Sequence, residues 1–224
     1  GLYSHSEGIS ISSGDYSHAE GASTSTGQYS HSEGQATTSV GQGSHAEGTA
    51  VTANGAYSHA EGNSTTTSGW ASHAEGFLTI ASGDNSHAEG FQTNAKGGSS
   101  HAEGRETIAF GNYSHAEGQQ TLSSGSYSHA EGDTTEASAE SSHAEGSFTI
   151  ASGYASHTEG YNTVASNDGS HAEGYSTVAF GAYSHTEGYE TIASGAYQSV
   201  VGRFNNQNNT DDYFIVGIGS SAGA

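Results

Sequence analysis

A five-residue word, Ser-His-Ala-Glu-Gly or a near copy of it, contains all fourteen histidines of the chain. A hydroxyl, an imidazole and a carboxylate so close together are the groups that a hydrolase uses as nucleophile, base and orienting acid. Imidazole and carboxylate are also ligands that zinc and nickel accept. The word therefore suggests two kinds of chemistry, nucleophilic catalysis and metal binding. The secondary structure that positions its side chains decides whether either is possible.

The word recurs with a short fixed period along nearly the whole chain. It starts at Ser4, Ser17 and Ser30, and from Ser30 it returns every fourteen residues until Ser184. With places counted from the Ser, the full unit reads S-H-A-E-G-x-x-T-x-A-x-G-x-Y. Such a period indicates a solenoid in which each repeat is one coil packed on its neighbours. Fifteen coils are expected over residues 1–202, followed in residues 203–224 by an irregular insertion and a terminal capping coil.

Glycines divide each unit into two halves. Glycine recurs at place 5 in every unit and at place 12 in most, which predicts two tight turns that need a positive φ or a close backbone approach. At place 12, Asn167 suits a left-handed turn and Ala139 suits it poorly. Between the turns we expect two strands of roughly five residues, with small Ser, Ala, Thr and Ala side chains inside and His and Glu on one outer face. The fold class is therefore all-β, a flattened parallel β-roll of about fourteen-residue coils.

The interior of such a roll is too thin to stabilise it alone. Ordering a residue costs about 1.5 kcal/mol, while apolar burial returns about 25 cal/mol per Å². A further buried face is therefore expected, and the constant His and Glu places are the best candidate, since apolar Val201, Phe214 and Val216 replace them near the C-terminal end. The predicted interface ladder between copies comprises His18, Glu20, His45, Glu47, His59, Glu61, His73, Glu75, His87, Glu89, His101, Glu103, His115, Glu117, His129, Glu131, His143, Glu145, His157, Glu159, His171, Glu173, His185 and Glu187.

Strand geometry weighs against catalysis. Ser17 and His18 should point to opposite faces, so they cannot share a proton as nucleophile and base must, and we expect no enzyme and no catalytic residue. Metal binding stays open, because His18 and Glu20 share a face and coils stack about 4.8 Å apart. The leading interpretation is a hydrogen-bonded His–Glu ladder without a cofactor. Ions on the axis between copies are the alternative, with the same His residues as ligands.

The charge state of the ladder has two alternatives. A carboxylate beside each His would raise the pKa of the imidazole, whereas burial would lower it. We expect the carboxylate to dominate, which would place the stability maximum between roughly pH 4.5 and 6.5.

Two further features could bind ligands. Tyr161, Tyr175 and Tyr189 fall at the same place of successive coils, and such a stripe could stack on sugars or shield the corner of the roll. The recurring Thr at place 8, as at Thr79, suggests an ice-binding rank, although it is expected to face inward.

Composition excludes several classes of partner. Three basic residues against 24 acidic ones give a formal net charge of −21, which argues against nucleic acid and anionic membranes. No apolar run is long enough to predict membrane insertion. The absence of Cys excludes a disulfide scaffold and thiol chemistry.

The unit resembles the head repeats of YadA-like trimeric autotransporter adhesins, in which a word of the form S-V-A-I-G recurs at about fourteen residues. The S-H-A-E-G variety is similar to repeats in tail-fibre and appendage proteins of phages that infect Gram-positive bacteria, and residues 197–202 and 213–217 resemble the stretch that closes such arrays. The resemblance implies a left-handed roll, a parallel homotrimer and an extracellular place on a virion or cell surface. In the adhesins the Val and Ile places face the trimer interface, and the matching places here are His and Glu.

These observations favour a structural fibre or adhesin segment. It would serve as a rigid spacer and a candidate receptor-binding head for cell attachment, with itself and a surface glycan or protein receptor as partners. The alternative is a metal-binding or ice-binding solenoid.

Overall fold

A computed structural model describes residues 1–205, 209–211 and 213–219. The described residues contain strands, bends and turns, and none of them forms a helix that could cross a membrane. Every strand pairing in them is parallel, and the strands build a solenoid of about 15 turns. The prediction of an all-β parallel solenoid is thus confirmed. Part of the insertion expected within residues 203–224 lies outside the described residues.

The coils fall into two compact units, the first of which is Gly1–Tyr113. In this unit a longer strand begins at the His of each word and a short strand follows it in most coils. The longer strands are β1 (His5–Gly8), β3 (His18–Ser25), β4 (His31–Ser39), β5 (His45–Thr49), β7 (His59–Asn63), β9 (His73–Phe77), β11 (His87–Phe91) and β13 (His101–Arg105). The short strands are β2 (Ile11–Ser12), β6 (Thr52–Ala53), β8 (Thr66–Thr67), β10 (Ile80–Ala81), β12 (Asn94–Ala95) and β14 (Ile108–Ala109).

The second unit is Ser114–Ala224 and repeats the same plan. Its longer strands are β15 (His115–Gln119), β17 (His129–Asp133), β19 (His143–Ser147), β21 (His157–Tyr161), β23 (His171–Tyr175), β25 (His185–Tyr189), β27 (Ser199–Arg203) and β28 (Phe214–Ile218). Its short strands are β16 (Leu122–Ser123), β18 (Glu136–Ala137), β20 (Ile150–Ala151), β22 (Val164–Ala165), β24 (Val178–Ala179) and β26 (Ile192–Ala193).

The register repeats the word on itself from coil to coil. In β9 and β11, His73 lies beside His87 and Glu75 beside Glu89. Because all pairings are parallel and in phase, each place of the unit becomes a column along the solenoid. Each side chain therefore lies next to the equivalent side chains of the coils before and after it. The residue type at one place of the repeat consequently sets the chemistry of a whole column.

The second strand is shorter than expected, with two residues in place of roughly five. The residue at place 7 takes a left-handed conformation, as at Leu78 with φ 56°, and ends the longer strand. Its N–H donates to the carbonyl of Asn63 in the preceding coil, at 3.0 Å. This hydrogen bond offsets the strain of a positive φ in a residue with a side chain. The left-handed corner therefore takes up residues that were expected to belong to the second strand.

The same corner explains the thirteen-residue spacing at the start of the chain. Between β3 and β4, Ala22 pairs with Gln35 and Ser23 pairs with Thr37, so Ala36 has no counterpart. Ala36 is at place 7 and has φ 56°. The two shorter units therefore lack only the left-handed corner residue, and both of their flanking segments keep their register.

The two glycine columns have different physical causes. Glycines at place 5 have a positive φ, 111° at Gly90, and a Cβ there would lie 2.2 Å from the carbonyl oxygen of Gly104. Glycines at place 12 have no positive φ, yet a Cβ on Gly83 would lie 2.0 Å from the carbonyl oxygen of Gly97. Place 12 thus requires close approach alone. The expectation that Asn167 is there for a left-handed turn was wrong, since the left-handed residue is at place 14.

The interior is narrow and filled by small side chains, as predicted. Ser at place 1, Ala at place 3, Thr at place 8 and Ala at place 10 are buried along both units, for example Ser72, Ala74, Thr79 and Ala81. Because the Thr column lies inside the roll, it is not displayed to solvent, and the ice-binding alternative loses the surface that it needs.

Candidate functional site: a stacked His/Glu face

The first strand of each coil presents its His on the outer face, and successive imidazoles stack. In the first unit the rings from His18 to His101 have centroids 4.7 to 4.9 Å apart. In the second unit the rings from His115 to His185 have the same spacing. The spacing is that of neighbouring strands in a sheet, so the backbone register alone fixes the stack. We call these His residues, with the Glu two places later in each word, the His/Glu face.

Each His lies beside a Glu at a distance longer than a good hydrogen bond. The Nε2 atom of His73 is 3.5 Å from the carboxylate oxygen of Glu75, and that of His143 is 3.7 Å from Glu145. Some carboxylates lie between two words: Glu173 is 4.0 Å from His171 through one oxygen and 3.6 Å from His185 through the other. Within one chain the His and Glu groups therefore face each other, but direct hydrogen bonds at 2.7–3.2 Å do not join them.

The ring nitrogens of this face are shielded although the side chains are half-exposed. The Nε2 atoms of His143, His157, His171 and His185 are inaccessible to water and have no hydrogen-bond partner in the chain. A buried polar atom without a partner costs about 1–3 kcal/mol, so such atoms are rare unless something else binds them. A column of such nitrogens therefore indicates that a group from outside the chain binds to this face.

Burial and the stacked neighbours lower the pKa of the imidazoles. At His143 desolvation is the largest cause, followed by the charges of His157 and His129, while Glu131 and Glu159 act in the opposite direction. The pKa is lowered, by the same leading cause, at His45, His59, His73, His143 and His171. The expectation of a raised pKa was therefore wrong at these residues. Burial outweighs the carboxylate, and like charge from the stacked rings adds to it.

The carboxylates also crowd one another. The pKa of Glu173 is raised by desolvation first, and then by a hydrogen bond and a like charge from Glu159 and by the charge of Glu187. Where the pKa of the imidazole is lowered, as at His143 and His171, the neighbouring carboxylates leave the His/Glu face with an excess of negative charge.

The structure places all 24 predicted ladder residues on this face and adds two coils. His5 and Glu7 lie 3.9 Å apart, and His31 and Glu33 lie 3.8 Å apart in the same arrangement. The prediction omitted these four residues, although their words have Ser for Ala at place 3 and otherwise match. The repeat word itself was the signal that could have found them.

The hydroxyl of the word lies on the opposite side of the strand from the His. Ser17 is buried, and its Oγ donates to the carbonyl of Gly14 at 2.7 Å. Ser72 makes the same bond to Gly69 at 2.8 Å. The Ser hydroxyl therefore fixes the turn at places 12 to 14 and cannot reach the imidazole, as the strand alternation predicts.

The His/Glu columns continue into apolar residues near the C-terminal end. His185 pairs with Ser199, which pairs with Phe214, and Glu187 pairs with Val201 and then Val216. Phe214 is 64% exposed and Val216 is 56% exposed. Large apolar side chains with this exposure at the end of one face form a surface that a partner can bury.

Tyr161, Tyr175 and Tyr189 form the column that the sequence predicts. Their ring centroids are 5.1 and 4.9 Å apart, with planes within 13° of parallel. Because each ring packs on the next, the faces that would stack on a sugar are covered by neighbouring rings. The three residues remain between 41% and 44% exposed.

The second unit also has a shallow groove that the sequence did not predict. It runs beside the short strands, and its apolar lining includes Leu122, Phe148 and Ile150 next to Glu136. The signal was the apolar residue at place 9 of several units, which the sequence analysis treated as freely variable.

Comparison with known families agrees with this geometry. The YadA head domain repeat matches the chain in two copies, at residues 144–166 and 172–197. These segments are similar to YadA head repeats, and the same unit continues in phase on both sides of them. The resemblance expected from the sequence is therefore confirmed there. No curated protein matches the chain.

Proposed function

We propose that the chain is a structural segment of a surface adhesin or fibre, on a cell or a virion, that assembles as a parallel homotrimer through its His/Glu face. The roll is left-handed in this proposal, as in the adhesin heads. The observation that carries the proposal is the constant His/Glu face, on which the shielded Nε2 atoms of His143, His157, His171 and His185 lack hydrogen-bond partners within the chain. The head repeats at residues 144–166 and 172–197 support a role in attachment.

Polar complementarity supports a second copy as the occupant of this face. A neutral imidazole Nε2 can donate or accept one hydrogen bond, and a carboxylate has further lone pairs to offer. The same word of another chain at the same height presents both groups. Around a three-fold axis, each His could therefore face the Glu of a neighbour and satisfy the nitrogen that one chain leaves unpartnered.

The apolar end supports the same arrangement. Phe214 and Val216 occupy the places of His and Glu, so an interface that buries the His/Glu face also buries these side chains. Removing a large side chain such as Phe214 from water contributes about 1.5–3 kcal/mol. Three copies would close the array with an apolar plug.

As a fibre segment the chain would act as a rigid spacer, and its outer columns would be free to bind a receptor. The tyrosine column, Tyr161, Tyr175 and Tyr189, is the candidate for a glycan or protein receptor, through ring edges and hydroxyl groups rather than ring faces. No catalytic step is part of this proposal, because the word's Ser is bound in a turn on the other side of the strand.

Mass in solution tests the assembly. Native mass spectrometry or sedimentation equilibrium on the untagged chain should give three times the 22.6 kDa of one chain. A folded monomer at micromolar concentration, with the circular dichroism of β-structure, would overturn the proposal. Removal of residues 203–224 provides the comparison, since it deletes the apolar plug and should lower the affinity between copies.

A further inference from the structure

The negative charge of the His/Glu face has no compensating cation within the chain's own basic residues. Lys96 lies over the ring of Phe110, and Arg203 lies over the ring of Phe204. Arg105 pairs with Glu106 at 3.3 Å. Fourteen words contribute fourteen carboxylates in columns, because each word has one Glu. Such columns attract cations, and the neighbouring nitrogens decide which cations fit.

The spacing of nitrogen and oxygen on this face matches the reach of a bound metal ion. The Nε2 of His143 is 3.9 Å from an oxygen of Glu131 and 3.7 Å from an oxygen of Glu145. Bonds of 2.0–2.2 Å to zinc hold two ligand atoms about 3.4 to 4.0 Å apart when the angle at the metal is about 109° to 140°. The gap is too wide for a hydrogen bond and suits an ion between the groups.

The arrangement recurs because the register recurs. His171 and His185 lie on either side of Glu173, and each nitrogen faces a different oxygen of that carboxylate. Ligand atoms of His143, Glu145 and His157 also lie within 4.8 Å of one another. The Nε2 atoms of these His residues are shielded from water and lack a hydrogen-bond partner. A nitrogen with a free lone pair facing two carboxylate oxygens is a ligand set for a borderline metal rather than for Mg²⁺ or Ca²⁺.

We propose that the His/Glu face binds divalent transition-metal ions such as Zn²⁺ or Ni²⁺. Each ion is held by the Nε2 of one His and by one carboxylate oxygen from each of two successive words. The site is complete in its protein ligands within one chain, so it does not depend on the proposed trimer. Water or the Glu of a neighbouring copy takes the remaining position on the ion, and in the trimer this bond replaces the hydrogen bond between that Glu and Nε2.

Charge balance sets the stoichiometry. Each ion is held by the carboxylates of two successive words, so one divalent ion balances the charge of two Glu residues. Fourteen words therefore bind about seven ions per chain before repulsion between ions opposes further binding. Neighbouring sites share carboxylates, which agrees with an ion at every second coil.

The experiment uses the untagged chain, stripped with a chelator, equilibrated with Zn²⁺ in the presence of excess Mg²⁺ and passed through gel filtration. Elemental analysis should find about seven zinc ions per chain. The same protein loaded with Co²⁺ should show ligand-field absorption bands of nitrogen and oxygen coordination. Zinc that excess Mg²⁺ displaces, or protein that leaves the column free of zinc, would overturn the proposal.

A matched pair of variants places the ions on this face. The double variant Glu131→Gln and Glu145→Gln keeps side-chain size and should lower bound zinc by about one ion per chain. Glu140→Gln removes an exposed carboxylate of the same unit that is outside the word, and should leave the zinc content unchanged. Equal losses in both would show diffuse counter-ion binding and contradict the site. If the double variant loses its β-structure, His143→Gln and the Co²⁺ spectrum of the unaltered chain decide instead.

Discussion

The imidazole ring of His143 stacks on that of His157 with centroids 4.8 Å apart and planes within 1° of parallel. The two residues are one repeat apart, and the parallel register places them side by side. A proton on the His143 ring is therefore placed close to the His157 ring, in an environment shielded from water. Desolvation, and after it the charges of the stacked neighbours, lower the pKa of His143.

The first prediction follows from that neutral form. At His45, His59, His73, His143 and His171 the folded pKa lies below the ordinary histidine value of 6.5. A depressed His pKa means that the unfolded chain binds protons first, so stability is full above about pH 6.5 and falls as pH decreases through the folded values. Thermal melts of chelator-treated protein should show a lower melting temperature at pH 5.5 than at pH 7.5.

The carboxylates modify the acid side of that profile. Glu173 has a raised pKa, so its protonation relieves repulsion and restores some stability as pH falls towards the raised value above 4.5. The melting temperature should therefore fall less steeply as the pH approaches that raised value. A melting temperature that rises steadily from pH 7.5 to pH 5.5 would show that carboxylate pairing dominates after all.

The second prediction concerns the buried Thr column. The Oγ1 atom of Thr79 is buried without a hydrogen-bond partner, and Val51 already occupies the same place in another coil. Thr79→Val should therefore raise the free energy of unfolding by about 1 kcal/mol. In Thr191 the Oγ1 bonds to Thr186 at 2.7 Å, so Thr191→Val should lower it by about 1 kcal/mol. Chemical denaturation measures the free energy of unfolding of both variants. Changes of the same sign would contradict the claim that the Thr79 hydroxyl lacks a partner while the Thr191 hydroxyl has one.

The third prediction separates the glycine columns from ordinary turn glycines. Gly90→Ala combines a φ of 111° with a Cβ placed 2.2 Å from a backbone oxygen, so it should destabilise the fold by more than about 2 kcal/mol. Gly98→Ala in the same coil meets nothing closer than 3.4 Å and should change stability by less than about 0.5 kcal/mol. Equal unfolding midpoints for the two variants would mean that the coils can move apart.

The fourth prediction tests the apolar plug. Phe214→Asp places a charge at the end of the face that the proposed trimer buries, and should weaken association by at least about tenfold. Ser152→Asp adds the same charge at an exposed position outside the His/Glu face and should leave association unchanged. Sedimentation at several concentrations compares them. Retention of the full assembly by Phe214→Asp would remove the plug from the interface.

The coil and its inner face could be predicted because they depend on sequence alternation and period alone. Ser72, Ala74, Thr79 and Ala81 are small at every repeat, and side-chain alternation places them together inside. The His/Glu face was predicted for the same reason. Once the parallel register is known, equivalent residues must form columns.

Two features could not be predicted, because they depend on contacts between coils. Leu78 and Tyr57 take left-handed conformations that their residue types disfavour, since each N–H donates to a carbonyl of the preceding coil, at 3.0 and 2.8 Å. The direction of the pKa at His143 likewise depends on how closely the rings stack and shield one another. The five-residue word determines neither these hydrogen-bond distances nor the distance between the stacked rings.

Pulsed electron paramagnetic resonance tests the central claim, that the His/Glu face lies between copies. The chain has no Cys, so a single Glu145→Cys takes one nitroxide label at this face, and Ser152→Cys takes one at an exposed position outside the face. The proposed trimer predicts a distance between labels on different chains that is shorter for Glu145→Cys, by at least about 10 Å, the separation of two packed sheets. Equal distances, or no dipolar coupling at Glu145→Cys, would contradict the claim.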